Sequence, residues 1–215
     1  MDGAARRERL ARARLYLVVE ARPHGRDPDA LLAAALRGGV DVVQLRDKDL
    51  SGDELVHAAA PFRRACAAHG ALFVLNDRPD LVEACGADGV HVGQEDVPVA
   101  EARALVGAER IVGLSTHSRS EMLAAEGADY VGVGTIFATP TKPESSAAGL
   151  QLVETAAETV RVPWFAIGGI ELANVALVAE AGAWGIAVVR AIRDAEDPEA
   201  AARALRTSLR EPSSS

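Results

Sequence analysis

Two hydrophobic patterns alternate along the chain: short unbroken apolar runs, and longer stretches whose apolar residues recur every three or four positions. The runs Leu15 to Val19, Val40 to Leu45, Leu72 to Leu75, Gly89 to Val92, Ile111 to Leu114, Tyr130 to Val133, Pro163 to Ile167 and Ile186 to Val189 are rich in β-branched residues. Runs without polar alternation predict strands covered on both faces.

Between the runs lie helix signals. Asp27 and Pro28 open a helix with Leu31, Leu32, Ala35 and Leu36 on one face, and Gly38-Gly39 ends it. Ser51 and Glu54 form a capping box ahead of Leu55, Ala59, Phe62 and Cys66, and Ser118 with Glu121 repeats the box. Further helices are predicted through Leu81 to Cys85, Val99 to Val106 and Leu152 to Val160. One more opens at Gly168-Gly169 and starts near Glu171, and a last one runs from Asp197-Pro198 through Leu209. Arg6 to Arg14 predicts a short amphipathic helix before the first strand.

A weak internal repeat supports the count. Gly39-Val40-Asp41, Gly86-Ala87-Asp88, Gly127-Ala128-Asp129 and Gly182-Ala183-Trp184 each put a helix-ending glycine just before an even-numbered strand. Eight strand–helix units predict an α/β fold, a closed (β/α)8 TIM barrel with a short N-terminal helix. The alternative is an open doubly wound sheet, but the first strand lacks the G-x-G-x-x-G turn. The expected organisation is one barrel domain over 1–215, the barrel proper about 15–210, with a disordered tail at 211–215.

Composition narrows the partners. The net charge of −8 over 215 residues argues against a nonspecific nucleic-acid surface, so any bound phosphate should be small and locally held. Cys66 and Cys85 lack metal-ligand spacing and are read as reduced and packed. The N-terminus is Arg-rich without a following apolar segment, and no apolar run reaches membrane-spanning length. A cytoplasmic protein is expected, with no nucleic-acid or membrane partner, and a homo-oligomer stays open.

In such a barrel the chemistry collects just after each strand. Gln44, Arg46 and Lys48 follow the second, Asn76 and Asp77 the third, Asp96 the fourth, and Ser115 with His117 the fifth. Thr139, Thr141 and Lys142 lie in the loop after the sixth, and Gly168-Gly169 and Val189-Arg190 close the seventh and eighth. Arg46 and Lys48 share a parity and would point the same way if the extended backbone continued. Asp77 and Asp96 can share one Mg2+ completed by substrate oxygens, or each can be a helix N-cap. Gly168-Gly169 is either a phosphate-binding turn or simply a tight turn. His91 and His117 receive no role, because a strand histidine is more often a satisfied core residue.

The segments Val43-Gln44-Leu45-Arg46-Asp47-Lys48, Asn76-Asp77-Arg78, Gly89-Val90-His91-Val92-Gly93-Gln94-Glu95-Asp96, Gly132-Val133-Gly134 through Thr139-Pro140-Thr141-Lys142, and Ala166-Ile167-Gly168-Gly169-Ile170 resemble, in order, the thiamine phosphate synthase family. The resemblance implies a transferase of thiamine biosynthesis. It would join 4-amino-2-methyl-5-hydroxymethylpyrimidine diphosphate to 4-methyl-5-(2-phosphoethyl)thiazole, releasing thiamine phosphate and pyrophosphate, by a dissociative route through a pyrimidine-stabilised carbocation. Carried over by position, Gln44 and Asn76 would contact the pyrimidine and Asp77 and Asp96 would bind Mg2+. Arg46, Lys48, Ser115 and Lys142 would serve the diphosphate as the catalytic set. Thr139, Thr141, Gly169, Val189 and Arg190 would hold the thiazole phosphate. Arg190 departs from the family's usual Ser, and Ala138 from a common Pro. The competing readings are a thiazole tautomerase on the same barrel and a non-catalytic binder of thiamine phosphates.

Overall fold

The computed structural model describes residues 1–138 and 148–209. Thr139, Thr141, Lys142 and the tail 211–215 lie outside the described residues, and so do the expectations placed on them.

Helix α1 (Gly3–Arg12) is capped by the Asp2 carboxylate, which accepts from the Ala5 N–H. It leads into β1 (Leu15–Val19), α2 (Asp29–Arg37), β2 (Val42–Leu45), α3 (Gly52–His69), β3 (Leu72–Asn76), α4 (Val82–Cys85) and β4 (Gly89–Val92). Next come α5 (Val99–Val106), β5 (Ile111–Thr116), α6 (Arg119–Leu123), β6 (Tyr130–Val133), α7 (Leu150–Thr159) and β7 (Trp164–Ile167). The chain finishes with α8 (Val175–Glu180), β8 (Gly185–Val188), α9 (Arg190–Arg193) and α10 (Pro198–Ser208). All neighbouring strands pair in parallel, and β8 returns to β1 to close the barrel. No described helix is long and apolar enough to cross a membrane.

Strand parity sorts the side chains into two cores. Leu15, Leu17, Val19, Val43, Leu45, Phe73, Leu75, Val90 and Val112 face outward and pack under the helices. Tyr16, Val18, Val42, Leu72, Val74, Tyr130, Phe165 and Ala187 face inward, with Leu10 and Ala13 of the α1 segment closing the barrel from below. Both strand faces are therefore dry, which is why the runs read as continuously apolar. Cys66 and Cys85 are both buried and unbridged.

The glycine repeat has a structural purpose at the lower end. The Asp41 carboxylate accepts from the Leu15 N–H, Asp88 from the Phe73 N–H and Asp129 from the Val112 N–H, so each tethers the preceding odd-numbered strand. In the fourth copy Trp184 replaces the aspartate, and the Arg14 guanidinium lies 4.3 Å above its ring.

Several boundaries differ from the sequence reading. Strand β2 starts at Val42 rather than Val40, and β5 continues to Thr116, whose hydroxyl donates to the Gly132 carbonyl. Asp27 precedes Pro28 at the N-cap of α2, and its carboxylate accepts from the Asp29 N–H. The Ser51–Glu54 box is complete, and α3 ends at Gly70 with φ of 71°. The second box is not: Ser118 accepts from the Glu121 N–H, while the Glu121 carboxylate takes the His117 N–H instead. The helix expected near Glu171 begins only at Val175, and α9 follows β8 unannounced.

Candidate active site

Inward parity puts Gln44 of β2, Asn76 of β3, His91 of β4 and Ser115 of β5 on the barrel's inner wall near its upper end. A cavity of about 500 Å³ opens there. Its lining includes Gln44, Arg46, Asn76, Ser115, Gly169, Val189 and Arg190, residues of five separate strand ends. Lys48, Asp77 and Asp96 stand outside that lining, at the rim.

Two groups in the wall are left unsatisfied. Gln44 is 4% exposed, and its Nε2 has no hydrogen-bond partner among the described residues. A buried amide donor without an acceptor loses its hydration with nothing in exchange, at about 1–3 kcal/mol. The Arg46 guanidinium has no ion-pair or hydrogen-bond partner among the described residues. Its backbone N–H still donates to the Val19 carbonyl at 2.9 Å, so the root of the side chain is fixed while its head is free.

The parity expectation for Lys48 fails because β2 ends at Leu45 and the chain bends. Lys48 Nζ instead pairs with Asp77 at 2.9 Å. Asp77 has φ of 58°, a left-handed conformation that an aspartate tolerates better than most residues. Its N–H donates to the His91 carbonyl at 2.9 Å, continuing the β3–β4 ladder one residue past the strand. Burial raises the Asp77 carboxyl above its ordinary range, the Lys48 ammonium pulls it back, and the adjoining Asp96 carboxyl pushes it further up. Asp96 is oriented by the Gly93 N–H, which donates to it at 2.8 Å. Among the described residues no group of three or more His, Cys, Asp or Glu can hold a metal. Two facing carboxylates suit a hard cation that takes its other oxygens from phosphate and water.

Gly168 and Gly169 have φ of 108° and 61°. A Cβ on Gly169 would come within 2.8 Å of the Phe137 Cβ and 2.9 Å of the Ala138 carbonyl oxygen, so the turn requires glycine there. The Asn174 side chain closes this turn, accepting from the Glu171 N–H and donating to the Gly169 carbonyl. The glycine pair is therefore separated from α8 by a closed loop, contrary to the expected direct helix start. Arg190 lies 3.5 Å from Glu171.

Other groups received no role from sequence, and Glu20 and Arg193 were not singled out there. Asp47 ties two loops together, accepting from the Ala21 and Asp49 N–H groups. Glu20 and Arg193 pair at 3.1 Å in the cavity wall. Glu20 directly follows the first strand, so the strand-end rule applied to β1 would have found it. His91 binds Ser115 Oγ at 2.9 Å and the Tyr130 hydroxyl at 3.1 Å. His117 donates from Nδ1 to the Gly134 carbonyl and lines the cavity.

Comparison with known proteins points one way. A family model described as Thiamine monophosphate synthase matches residues 15–192. The chain is 49% identical over 208 residues to a thiamine-phosphate synthase of Streptomyces avermitilis, covering 95% of this chain and 97% of that one. Identity is 48% over 219 residues to its counterpart in Saccharopolyspora erythraea, with 97% and 98% covered. A longer relative of the same name from Gloeobacter violaceus is 48% identical, with 91% of this chain matched to 57% of its length. A solved thiamine phosphate pyrophosphorylase from Pyrococcus furiosus superposes with a TM-score of 0.84 at 34% identity, over 94% of this chain and 96% of that one. With a barrel, a strand-end cavity and a family match that spans all eight strands, the chain belongs to the thiamine monophosphate synthase family.

Proposed function

We propose that this transferase is a thiamine-phosphate synthase, condensing 4-amino-2-methyl-5-hydroxymethylpyrimidine diphosphate with 4-methyl-5-(2-phosphoethyl)thiazole to thiamine phosphate and pyrophosphate. The observation that carries the chemistry is the pair of donors in one wall that have no partner among the described residues, the buried Gln44 amide and the Arg46 guanidinium. An amide donor suits a heteroaromatic nitrogen, and a guanidinium suits phosphate oxygens in two-point contact.

In this reading Gln44 and Asn76 orient the pyrimidine, Arg46 and Lys48 bind the diphosphate, and Ser115 donates to the leaving oxygens. Lys142, which follows β6 in the sequence, is assigned to the same diphosphate. Asp77 and Asp96 hold Mg2+, which when bound supplies positive charge that the departing diphosphate needs. Lys48 then exchanges its present carboxylate for a phosphate oxygen. The thiazole phosphate falls to Gly169, Val189 and Arg190, with Thr139 and Thr141.

No residue need act as a nucleophile. Breaking the C–O bond leaves a cation stabilised by the pyrimidine and a polyanion held by fixed cationic groups, and those groups strengthen their contacts as charge develops. The thiazole nitrogen then captures the cation, and the new C–N bond replaces the C–O bond that was broken.

The test is a coupling assay on purified protein with both substrates, with and without Mg2+, reading pyrophosphate and thiamine phosphate together. Equal release of both products, lost on chelation, is expected. Isomerisation of the thiazole phosphate with no thiamine phosphate would overturn the reading in favour of the tautomerase. Tight ligand binding with no pyrophosphate over long incubation would overturn it in favour of a non-catalytic binder.

A further inference from the structure

Inside the barrel a chain of four polar side chains runs from its middle to the cavity. Tyr16 of β1 meets Tyr130 of β6, hydroxyl to hydroxyl at 2.9 Å. The Tyr130 hydroxyl is 3.1 Å from His91 Nδ1, and His91 Nε2 is 2.9 Å from Ser115 Oγ. Tyr16 and Tyr130 are 3% and 1% exposed. The rings are packed as well as bonded, with centroids 6.0 Å apart for the two tyrosines and 5.5 Å for Tyr130 and His91. Space for this is made by Gly113 on β5, where a Cβ would lie 2.1 Å from the Tyr130 ring.

Each link can run in either direction, but the chain as a whole cannot. Burial raises both phenols above their ordinary value, so both keep their protons at neutral pH. Among the described residues, the only partner within reach of the Tyr16 hydroxyl is Tyr130. If Tyr130 donated to Tyr16, the Tyr16 proton would be buried with no acceptor, a loss of the kind that folded interiors avoid. Tyr16 must therefore donate to Tyr130, and Tyr130 to His91 Nδ1. The imidazole then carries its proton on Nε2 and donates it to Ser115 Oγ. A doubly protonated ring does not fit, because Nδ1–H and the Tyr130 proton would face each other.

We propose that His91 is a positioning residue, locked by Tyr130 and Tyr16 in the Nε2–H tautomer so that the Ser115 hydroxyl is obliged to donate into the cavity. With its oxygen already accepting from His91, the one proton of Ser115 is turned toward whatever the cavity holds. That polarity is the one a departing diphosphate needs, and the kinetic consequence rests on the synthase reading above. The tautomer does not, since it follows from the fold alone.

Nitrogen-15 shifts of the histidine rings in the full-length, ligand-free protein test the tautomer directly. His91 is identified among the five histidines by its absence from His91→Gln. A protonated Nε2 with a bare Nδ1 is expected. A protonated Nδ1, alone or with Nε2, would overturn the proposal, whatever the protein's activity.

The second arm compares two variants in the coupling assay. The Gln amide places an N–H donor near the Nε2 position, so His91→Gln should keep kcat within about threefold, whereas His91→Leu should lose about tenfold, the worth of one hydrogen bond. KM for the pyrimidine diphosphate should stay within about twofold in both, because the lost contact strengthens only as charge develops. Equal kcat in the two variants, with the expected tautomer in place, would confine His91 to packing and overturn its positioning role.

Discussion

The two ends of this barrel use the same residue types to opposite effect. At the lower end every aspartate of the repeat is saturated: Asp88 holds Arg6 at 2.9 Å, Asp129 holds Arg7 and Arg103, and Asp41 holds Arg206, while each also accepts a strand N–H. At the upper end Arg46 has no partner among the described residues, the Gln44 amide is buried without one, and Asp77 adjoins Asp96. Charges that satisfy one another stabilise the fold. Charges left unsatisfied on a rigid wall are stabilised only by something that arrives, and that is the physical signature of a site.

Substitutions at the two ends should therefore separate activity from stability. Arg46→Ala should lower kcat/KM by about 100- to 1,000-fold, as loss of a preorganised charge contact to the transition state does, with thermal unfolding unmoved. A fall in the unfolding temperature instead would mean that Arg46 belongs with the structural arginines. Asp88→Ala should do the reverse. It strands the Arg6 guanidinium, which is 9% exposed, and releases the Phe73 N–H, at a cost of about 3 kcal/mol in denaturant unfolding. Its turnover per folded molecule should match the parent.

A smaller effect sharpens the comparison, because it concerns a satisfied group at the upper end. Ser51 caps α3 by accepting from the Glu54 N–H, and Glu54 accepts from the Ser51 N–H in return. Ser51→Ala should cost about 1 kcal/mol by urea unfolding and leave kcat unchanged. Position at the strand ends is thus not enough to make a residue functional. Ser51 is excluded because folding uses both its N–H and its hydroxyl inside the helix cap.

This difference also explains what was legible in the sequence. The eight runs announced the strands because both faces of each are dry, and residues at or just past their ends brought out Gln44, Arg46, Asn76 and Ser115 because a barrel gathers strand ends. The limits of the strands were less legible where polar residues finish them: Ser115 and Thr116 read as loop, yet Thr116 is fully buried and bonded to the neighbouring strand. The start of α8 was set by the Asn174 side chain closing a turn, and α9 is four residues long, too short for any period to show. His91 could be placed on its strand but not given a function. Its direct partners come from β5 and β6, and the two tyrosines that fix its direction are 114 positions apart.

The smallest expected effect probes the carboxylate pair itself. The Asp77 carboxyl is raised by burial first, lowered by Lys48, and raised again by Asp96. A raised carboxyl binds its proton more tightly in the folded protein than in the unfolded chain. The stability it contributes is present below the ordinary carboxylate range and is lost as pH rises through its elevated value. At neutral pH the metal-free protein has therefore already lost that contribution. Asp96→Asn removes one of the upward causes while keeping an oxygen to accept the Gly93 N–H. Metal-free Asp96→Asn should consequently unfold about 1–2 °C higher than the parent at pH 7, a gain kept small by solvent screening at the rim, and should lose that advantage below pH 4. Saturating Mg2+ should stabilise the parent and not the variant, reversing their order. An unchanged order in Mg2+ would separate the two carboxylates from any shared cation and place Asp77 with the satisfied groups of the lower end, neutralised by Lys48 alone.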